Sequence, residues 1–197
     1  MTAKTLVEPK LAKPGAGLPF VEWAVAKYVL LPQAFKRIST EQALKNFTSE
    51  SELILAKAKQ LDKAQLIERR LVPRLRGLED SSRYWSVAMT LDHLNIVVNG
   101  IRFLIVGLTS GKKDLPTRTT AQVKPSIDVS AETIEADFAK MAQSFVETVV
   151  KSNLDAFPDA THPHPWFGPF TAKQWIIMAA AHQQIHRKQV EEIIKRI

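Results

Sequence analysis

Hydrophobic and polar positions follow a helical period over most of the chain after residue 48. Residues three and four apart share one face of a helix, and four segments carry such an apolar stripe. These segments predict helices over residues 49–76, 85–110, 130–152 and 171–197. Few stretches alternate with a period of two, so an all-β fold has little support.

The predicted ends of these helices come from capping patterns. Ser49–Glu52 and Thr171–Gln174 have the spacing of capping boxes, which start helices. Gly77 is a candidate C-cap for the first helix. The stripe of that helix would bury Ile54, Leu61, Ala64, Ile67, Leu71 and Leu75.

The remaining segments complete an all-α architecture, a four-helix bundle over residues 49–197 with a helical extension before it. Residues 1–19 are rich in Pro and Gly and predict a mobile arm. Residues 20–48 predict the extension, whose helix starts at Pro19 and ends or kinks at Pro32. Two long connections, 111–130 and 153–170, allow either a simple up-down or a crossed topology.

Composition limits the function. The chain has 197 residues and no cysteine, which excludes disulfides and thiolate ligands and suits a reducing, cytoplasmic setting. The apolar segment at residues 20–31 is too short to span a bilayer, so no membrane is expected. The net charge of +7 is scattered and not interleaved with aromatic residues, which disfavours nucleic acid as a partner.

Three histidines are candidate metal ligands. His182 and His186 lie one helical turn apart, so their imidazoles share a face. His93 falls on the apolar stripe of the second helix, where a histidine is either buried or coordinated, and it is the best third ligand. Three imidazoles suit a divalent ion and leave a position open for chemistry. Gln183 stands where the better known helical zinc motif has its glutamate base.

Other residues are accessory candidates. His162 and His164 alternate with prolines and could close over the open side, although we expect them to be exposed on a stiffened loop. Trp166 could wall a pocket, whereas Trp85 and Trp175 are expected to pack. The candidates for hydrogen bonds to the ligands are Asp92, Gln183 and Gln189. Gly100, inside the second helix, suggests a close approach by another group.

Residues 49–197 resemble the DinB/YfiT-like superfamily of metalloenzymes. The resemblance rests on Trp85-Ser86 before Leu91-Asp92-His93-Leu94, the loop His164-Pro165-Trp166-Phe167-Gly168-Pro169-Phe170, and His182-x-x-x-His186. That loop is similar to an uncharacterised branch of the clan. The resemblance implies an up-down-down-up bundle, frequent homodimers, and a zinc or nickel ion held by His93, His182 and His186.

Three functions therefore compete. The first is a metal-dependent enzyme resembling thiol S-transferases or hydrolases, acting on a small molecule. Because the chain has no cysteine, a thiol would arrive as a low-molecular-weight co-substrate. The second is a non-catalytic bundle that binds a partner and holds no metal, and the third is weak nucleic-acid binding.

Overall fold

The computed structural model describes residues 8–197, and the first seven residues of the predicted arm lie outside it. The helices are α1 (Phe20–Val25), α2 (Leu31–Arg37), α3 (Thr40–Ala58), α4 (Lys63–Ile67), α5 (Val87–Thr109), α6 (Ile134–Lys151) and α7 (Ala172–Ile194). The strands are β1 (Arg70–Leu71), β2 (Tyr84–Trp85), β3 (Thr161–His164) and β4 (Gly168–Thr171). Strands β1 and β2 pair antiparallel, as do β3 and β4.

Helices α3, α5, α6 and α7 form the predicted four-helix bundle. Helix α3 packs on α6 and α7, and α5 packs on the same two helices. Helices α3 and α7 run parallel, since Ser51 bonds Gln183 while Lys57 pairs with Glu191 further along both helices.

The other two helices run against this pair. Helix α5 is antiparallel to α7, because Trp85 lies beside His186 while His93, further along α5, lies beside His182. The connection after α5 returns to the start of that helix, where Ser126 bonds Asp92. Helix α6 therefore runs parallel to α5, and the order is up-down-down-up, the crossed alternative.

Three of the predicted bundle helices are confirmed. Ser86 caps α5 by accepting from the Met89 amide, and Thr171 with Gln174 forms the expected capping box of α7. The predicted face of α6 is buried along its length, at Ile134, Phe138, Met141, Phe145 and Val149.

The prediction for the first helix is wrong at both ends. Helix α3 begins at Thr40, capped by Ser39, and stops at Ala58 instead of continuing to residue 76. Asp62 and Gln65 form a capping box that starts the separate helix α4. The stripe beyond this break is not a core face, since Ala64, Ile67 and Leu71 are exposed. Gly77 has a positive φ of 83°, but it lies in a turn far from the end of α3.

The N-terminal extension is a kinked helical arm that packs outside the bundle. A π-helical turn, Ala26–Leu30, joins α1 to α2 just before Pro32, as the missing proline N–H would require. Residues 8–19 have no regular helix or strand, but the amides of Gly15 and Gly17 both donate to Glu79.

Within the described chain, α5 is the one helix long and apolar enough to cross a bilayer by composition. Half of its most apolar window is buried, and the helix packs against α6 and α7. The apolar side chains of α5 therefore contribute to the core of the bundle.

The aromatic contact between α3 and α6 should carry a large share of stability. The rings of Phe47 and Phe145 lie 4.1 Å apart and are fully buried. Replacing Phe145 with alanine is expected to cost about 3–5 kcal/mol in urea unfolding, because the cavity left cannot fully collapse. Val150→Ala on the same helix, where Val150 is 71% exposed, should cost far less. Equal losses in the two variants would contradict this packing.

Candidate metal centre

The three predicted histidines meet between α5 and α7. Nε2 of His182 lies 3.3 Å from Nε2 of His93 and 3.2 Å from Nε2 of His186. One ligand atom from each of the three lies within 4.8 Å of the others. His93 and His186 are buried, and His182 is half-buried.

Hydrogen bonds at the far nitrogens determine which tautomer His93 adopts. Its Nδ1 lies 2.7 Å from the carbonyl oxygen of Val123, which can only accept, so Nδ1 carries the proton. In the neutral ring Nε2 then has a free lone pair, which points at His182.

A longer relay has the same effect on His186. The side-chain amide of Gln189 donates to the carbonyl of Ser82 at 2.7 Å, which leaves its Oε1 as an acceptor 2.7 Å from His186 Nδ1. Nδ1 of His186 therefore donates, and its Nε2 also presents a lone pair to His182. Gln189 is fully buried, so this orientation is well constrained.

This donor set suits a cation. A proton on Nε2 of His182 could be donated to His93 or to His186 but not to both. The lone pair of the other ring would then face Nε2 of His182 without a hydrogen bond. Nδ1 of His182 is buried and makes no hydrogen bond within residues 8–197. Two nitrogens bound to a tetrahedral zinc ion at about 2.0–2.1 Å lie about 3.3 Å apart, close to the separations found here. The three side chains could therefore hold a metal ion.

The surroundings keep all three rings neutral. Burial lowers the pKa of His93 from 6.5 to about 4, and the charge of Lys124 contributes in the same direction. Burial also holds the pKa values of His182 and His186 well below 6.5, with further lowering by neighbouring histidines. Neutral imidazole is the form that binds metal.

Trp85 forms one wall of the centre. Its ring is stacked on His186 with an interplanar angle of 7° and lies 5.0 Å from the ring of His93. The ammonium of Lys124 lies 5.0 Å from the same indole. Pairing of β1 with β2 places this tryptophan, which is nearly fully buried and packs as predicted.

The expectation that His162 and His164 are exposed is wrong. They lie in β3, whose pairing with β4 turns both rings toward Trp175, and His162 is only 6% exposed. Burial lowers the pKa of both, for His164 to about 4. Neither joins the three-histidine cluster, although the charge of His164 contributes to lowering the pKa of His182.

The three candidates for hydrogen bonds to the ligands have different roles. Gln189 bonds His186 directly. Gln183 donates instead to Ser51 of α3 and holds two bundle helices together. Asp92 accepts from the Ser126 amide and so anchors the connection that carries Val123.

A cavity of about 1370 Å³ opens beside the three histidines. His162, His164 and Trp166 line it together with the cluster. The indole N–H of Trp23 in α1 donates to the carbonyl of Trp166 at 2.8 Å, which ties the hairpin to the N-terminal extension. The open side of the centre therefore faces a space large enough for a ligand.

Sequence reasoning missed the groups that orient the histidines. The contacts to the Val123 and Ser82 carbonyls cannot be predicted from residue type, because every residue has a backbone oxygen. Lys124 beside the centre was also missed, since only the folded connection brings residue 124 back to α5.

Comparison with known proteins identifies the fold. Residues 30–190 match the sequence model of the DinB superfamily. The crystal structure of TT2238, a four-helix bundle protein, is 23% identical with a TM-score of 0.54, covering 77% of this chain and 96% of that one. No curated protein matches the chain.

A second similar structure is a protein–DNA complex. The colibactin self-resistance protein ClbS in complex with dsDNA is 16% identical with a TM-score of 0.58, covering 80% of this chain and 96% of that one. At this identity the likeness shows the fold alone. The expectation that nucleic acid is disfavoured as a partner gains no support from it.

Acid should destabilise the metal-free protein in a window set by the buried histidines. Their folded pKa values lie below the unfolded value of 6.5, so the unfolded chain binds more protons between pH 6.5 and about 4. Stability is fully present above pH 6.5 and is lost as the pH falls toward 4. Urea midpoints measured with a chelator should fall between pH 7 and pH 5.

Between pH 7 and pH 5 the loss of stability reports on histidines and not on carboxylates. The pKa values of Glu22, Glu191 and Glu192 are lowered below 4.5, so their contribution is lost only at more acidic pH. A His164→Phe variant should show a shallower decline between pH 7 and pH 5. Midpoints that do not change across this interval would contradict the prediction.

Proposed function

This chain belongs to the DinB superfamily, and we propose that it is a metal-dependent enzyme whose His93, His182 and His186 hold a divalent ion. The observation that carries the proposal is the convergence of three Nε2 atoms, two of which, on His93 and His186, have lone pairs directed toward His182 by Val123 and Gln189. Zinc or nickel fits an all-imidazole ligand set.

The reaction we propose is transfer of a low-molecular-weight thiol, or hydrolysis, on a small-molecule substrate. A divalent ion held here would lower the pKa of a bound water toward about 7 and would keep a bound thiol as thiolate. The chain has no cysteine, so sulfur chemistry requires a thiol from solution. The cavity that borders the three histidines gives substrate access to the open side.

The chain's own side chains around the centre are suited to binding and orientation. Gln183 replaces the glutamate of the helical zinc motif and bonds Ser51, so it supplies no base. Lys124 is held by Ser81 and Ser82, and burial lowers its pKa. Its ammonium can stabilise an anionic group that lies beside His93.

A second candidate is DNA binding, favoured by the dsDNA held by the structurally similar ClbS. The net charge of +7 has the sign that this requires, although it is scattered along the chain. Affinity for a duplex should then fall steeply between about 50 and 200 mM salt, since phosphate contacts release counterions. No binding at the lower salt would remove this candidate.

Assembly and location follow from the resemblance and the composition. We expect a homodimer, which sedimentation would measure, and a cytoplasmic setting for a chain without cysteine. The rival reading is a bundle without metal or catalysis, and metal content separates it from an enzyme.

Protein purified without a histidine tag or chelator should contain close to one divalent ion per chain by elemental analysis. His182→Ala should abolish that content, because it removes the nitrogen that the other two face. Metal-free wild-type protein, with His93→Phe as stable as wild type, would instead favour the non-catalytic bundle.

Gln189→Ala should weaken metal affinity by about 10–100-fold, the usual cost of losing a group that orients a ligand. The matched control is Gln183→Ala, which removes another fully buried amide from α7 without touching a proposed ligand. Chelator competition should therefore separate the two variants even if both lose stability. Similar affinities in the two would contradict a role for Gln189 in orienting His186.

A further inference from the structure

The cavity beside the histidines is long and mainly apolar. One stripe of α5 lines it from His93 through Val97 and Gly100 to Leu104. His93 and Leu104 are eleven residues apart, which is about 16 Å along a helix. The volume of about 1370 Å³ exceeds the roughly 300–1,000 Å³ typical of small-molecule sites. This shape accommodates an extended or polycyclic apolar body better than a compact polar metabolite.

Gly100 keeps the middle of this cavity open. A glycine inside a helix costs roughly 1 kcal/mol relative to alanine, so its presence in α5 needs a reason. A Cβ atom added at Gly100 would meet no other group within 4 Å. The sequence suggested a close approach by another group, and in the structure no other part of the described chain approaches this position. A larger side chain at this position would occupy ligand space.

The N-terminal extension supplies the opposite wall and an apolar rim. Val21, Val25 and Leu30 line the cavity and are nevertheless 72%, 43% and 57% exposed. Phe103 of α5 also lines it and is 52% exposed. Large apolar side chains that border a cavity and remain in contact with water favour entry of an apolar ligand.

Positive charge is in excess in the lining of this cavity. Four cations line it, Arg74, Arg76, Arg118 and Lys124, against the carboxylates of Glu22 and Glu79. Glu22 is bound to Arg74 and to the Gly77 amide. Glu79 lies 3.7 Å from the ammonium of Lys124 and accepts from Gly15, Gly17 and Ser81. Arg76 and Arg118 have no carboxylate partner in the described part of the chain.

Two contacts place Lys124 and Arg76 beside the centre. Lys124 directly follows Val123, which accepts from His93. Gly77, next to Arg76, lies against Ile185, the residue before His186. These two cations and the three histidines are therefore neighbours, and the apolar part of the cavity extends away from both.

We propose that this cavity binds an amphipathic anion, with its acidic group among the cations beside the three histidines and its apolar body along α5 past Gly100. The inference rests on the proposed function in treating the cavity as the substrate chamber. Binding of the apolar body, however, does not require a metal ion.

The test uses dodecanoate and dodecanol, which share a chain and differ in charge, as competitors of the fluorescent anion 1-anilinonaphthalene-8-sulfonate on the full-length protein. Wild type should bind dodecanoate at least about tenfold more tightly than dodecanol, a difference of about 1.4 kcal/mol. Arg76→Gln should reduce that preference. Equal affinity for the two competitors would overturn the anionic part of the proposal.

Gly100→Phe tests the location. It should weaken dodecanoate binding by at least about tenfold while keeping the helical circular dichroism and melting temperature, because phenylalanine has a higher helix propensity than glycine. Val106→Phe is the matched control, since Val106 is half-exposed on α5 outside the cavity lining. Gly100→Leu provides a smaller obstruction should the larger one disturb folding. Unchanged binding in a folded Gly100 variant would place the probe on the outer surface and overturn the proposal.

Metal content measured on the same samples keeps the two proposals apart. Dodecanoate binding that persists with a chelator supports the cavity proposal even if no metal is found. Stoichiometric metal in a protein that binds neither competitor would overturn the cavity proposal and leave the metal proposal standing.

Discussion

The site depends on the close approach of three neutral imidazoles, whose Nε2 atoms meet in the interior of the protein. Two of the rings, His93 and His186, are locked by hydrogen bonds so that lone pairs face the third. Lone pairs at this distance repel unless a proton or a cation lies between them, and one proton cannot satisfy both contacts. The fold therefore holds a strongly directed donor set, and the remaining elements around it act to keep that set in place.

The long connections of the chain supply groups that orient the histidines. The segment after α5 travels back along that helix to bring Val123 to His93, and Asp92 anchors it through Ser126. The segment before α5 leaves the bundle after α4 and returns with Ser82 and Trp85, which support Gln189 and His186. The crossed connection between α5 and α6 therefore supplies Val123, and the connection between α3 and α5 supplies Ser82 and Trp85.

The N-terminal extension adds a wall that the four-helix bundle alone would lack. Helix α1 precedes the stretch that matches the DinB superfamily, yet Val21 and Val25 line the cavity beside the histidines. The indole of Trp23 ties this wall to the hairpin that carries His164. An apolar chamber joined to a cluster of nitrogen ligands and basic side chains is thus assembled from parts of the chain that are distant in sequence.

The sequence by itself determined the helical class, the positions of α5, α6 and α7 to within four residues, and the faces that His93, His182 and His186 occupy, because helical periodicity and capping are local properties. It did not reveal the break after Ala58, where the Asp62–Gln65 capping box outweighs an apolar spacing that continues past it. Only the tertiary structure decided that His162 is buried, that Gln189 rather than Gln183 bonds a histidine, and that Gly100 faces open space. These outcomes depend on which segments of the chain come into contact. The position of a backbone carbonyl or of a cavity is not encoded by the identity of any single residue.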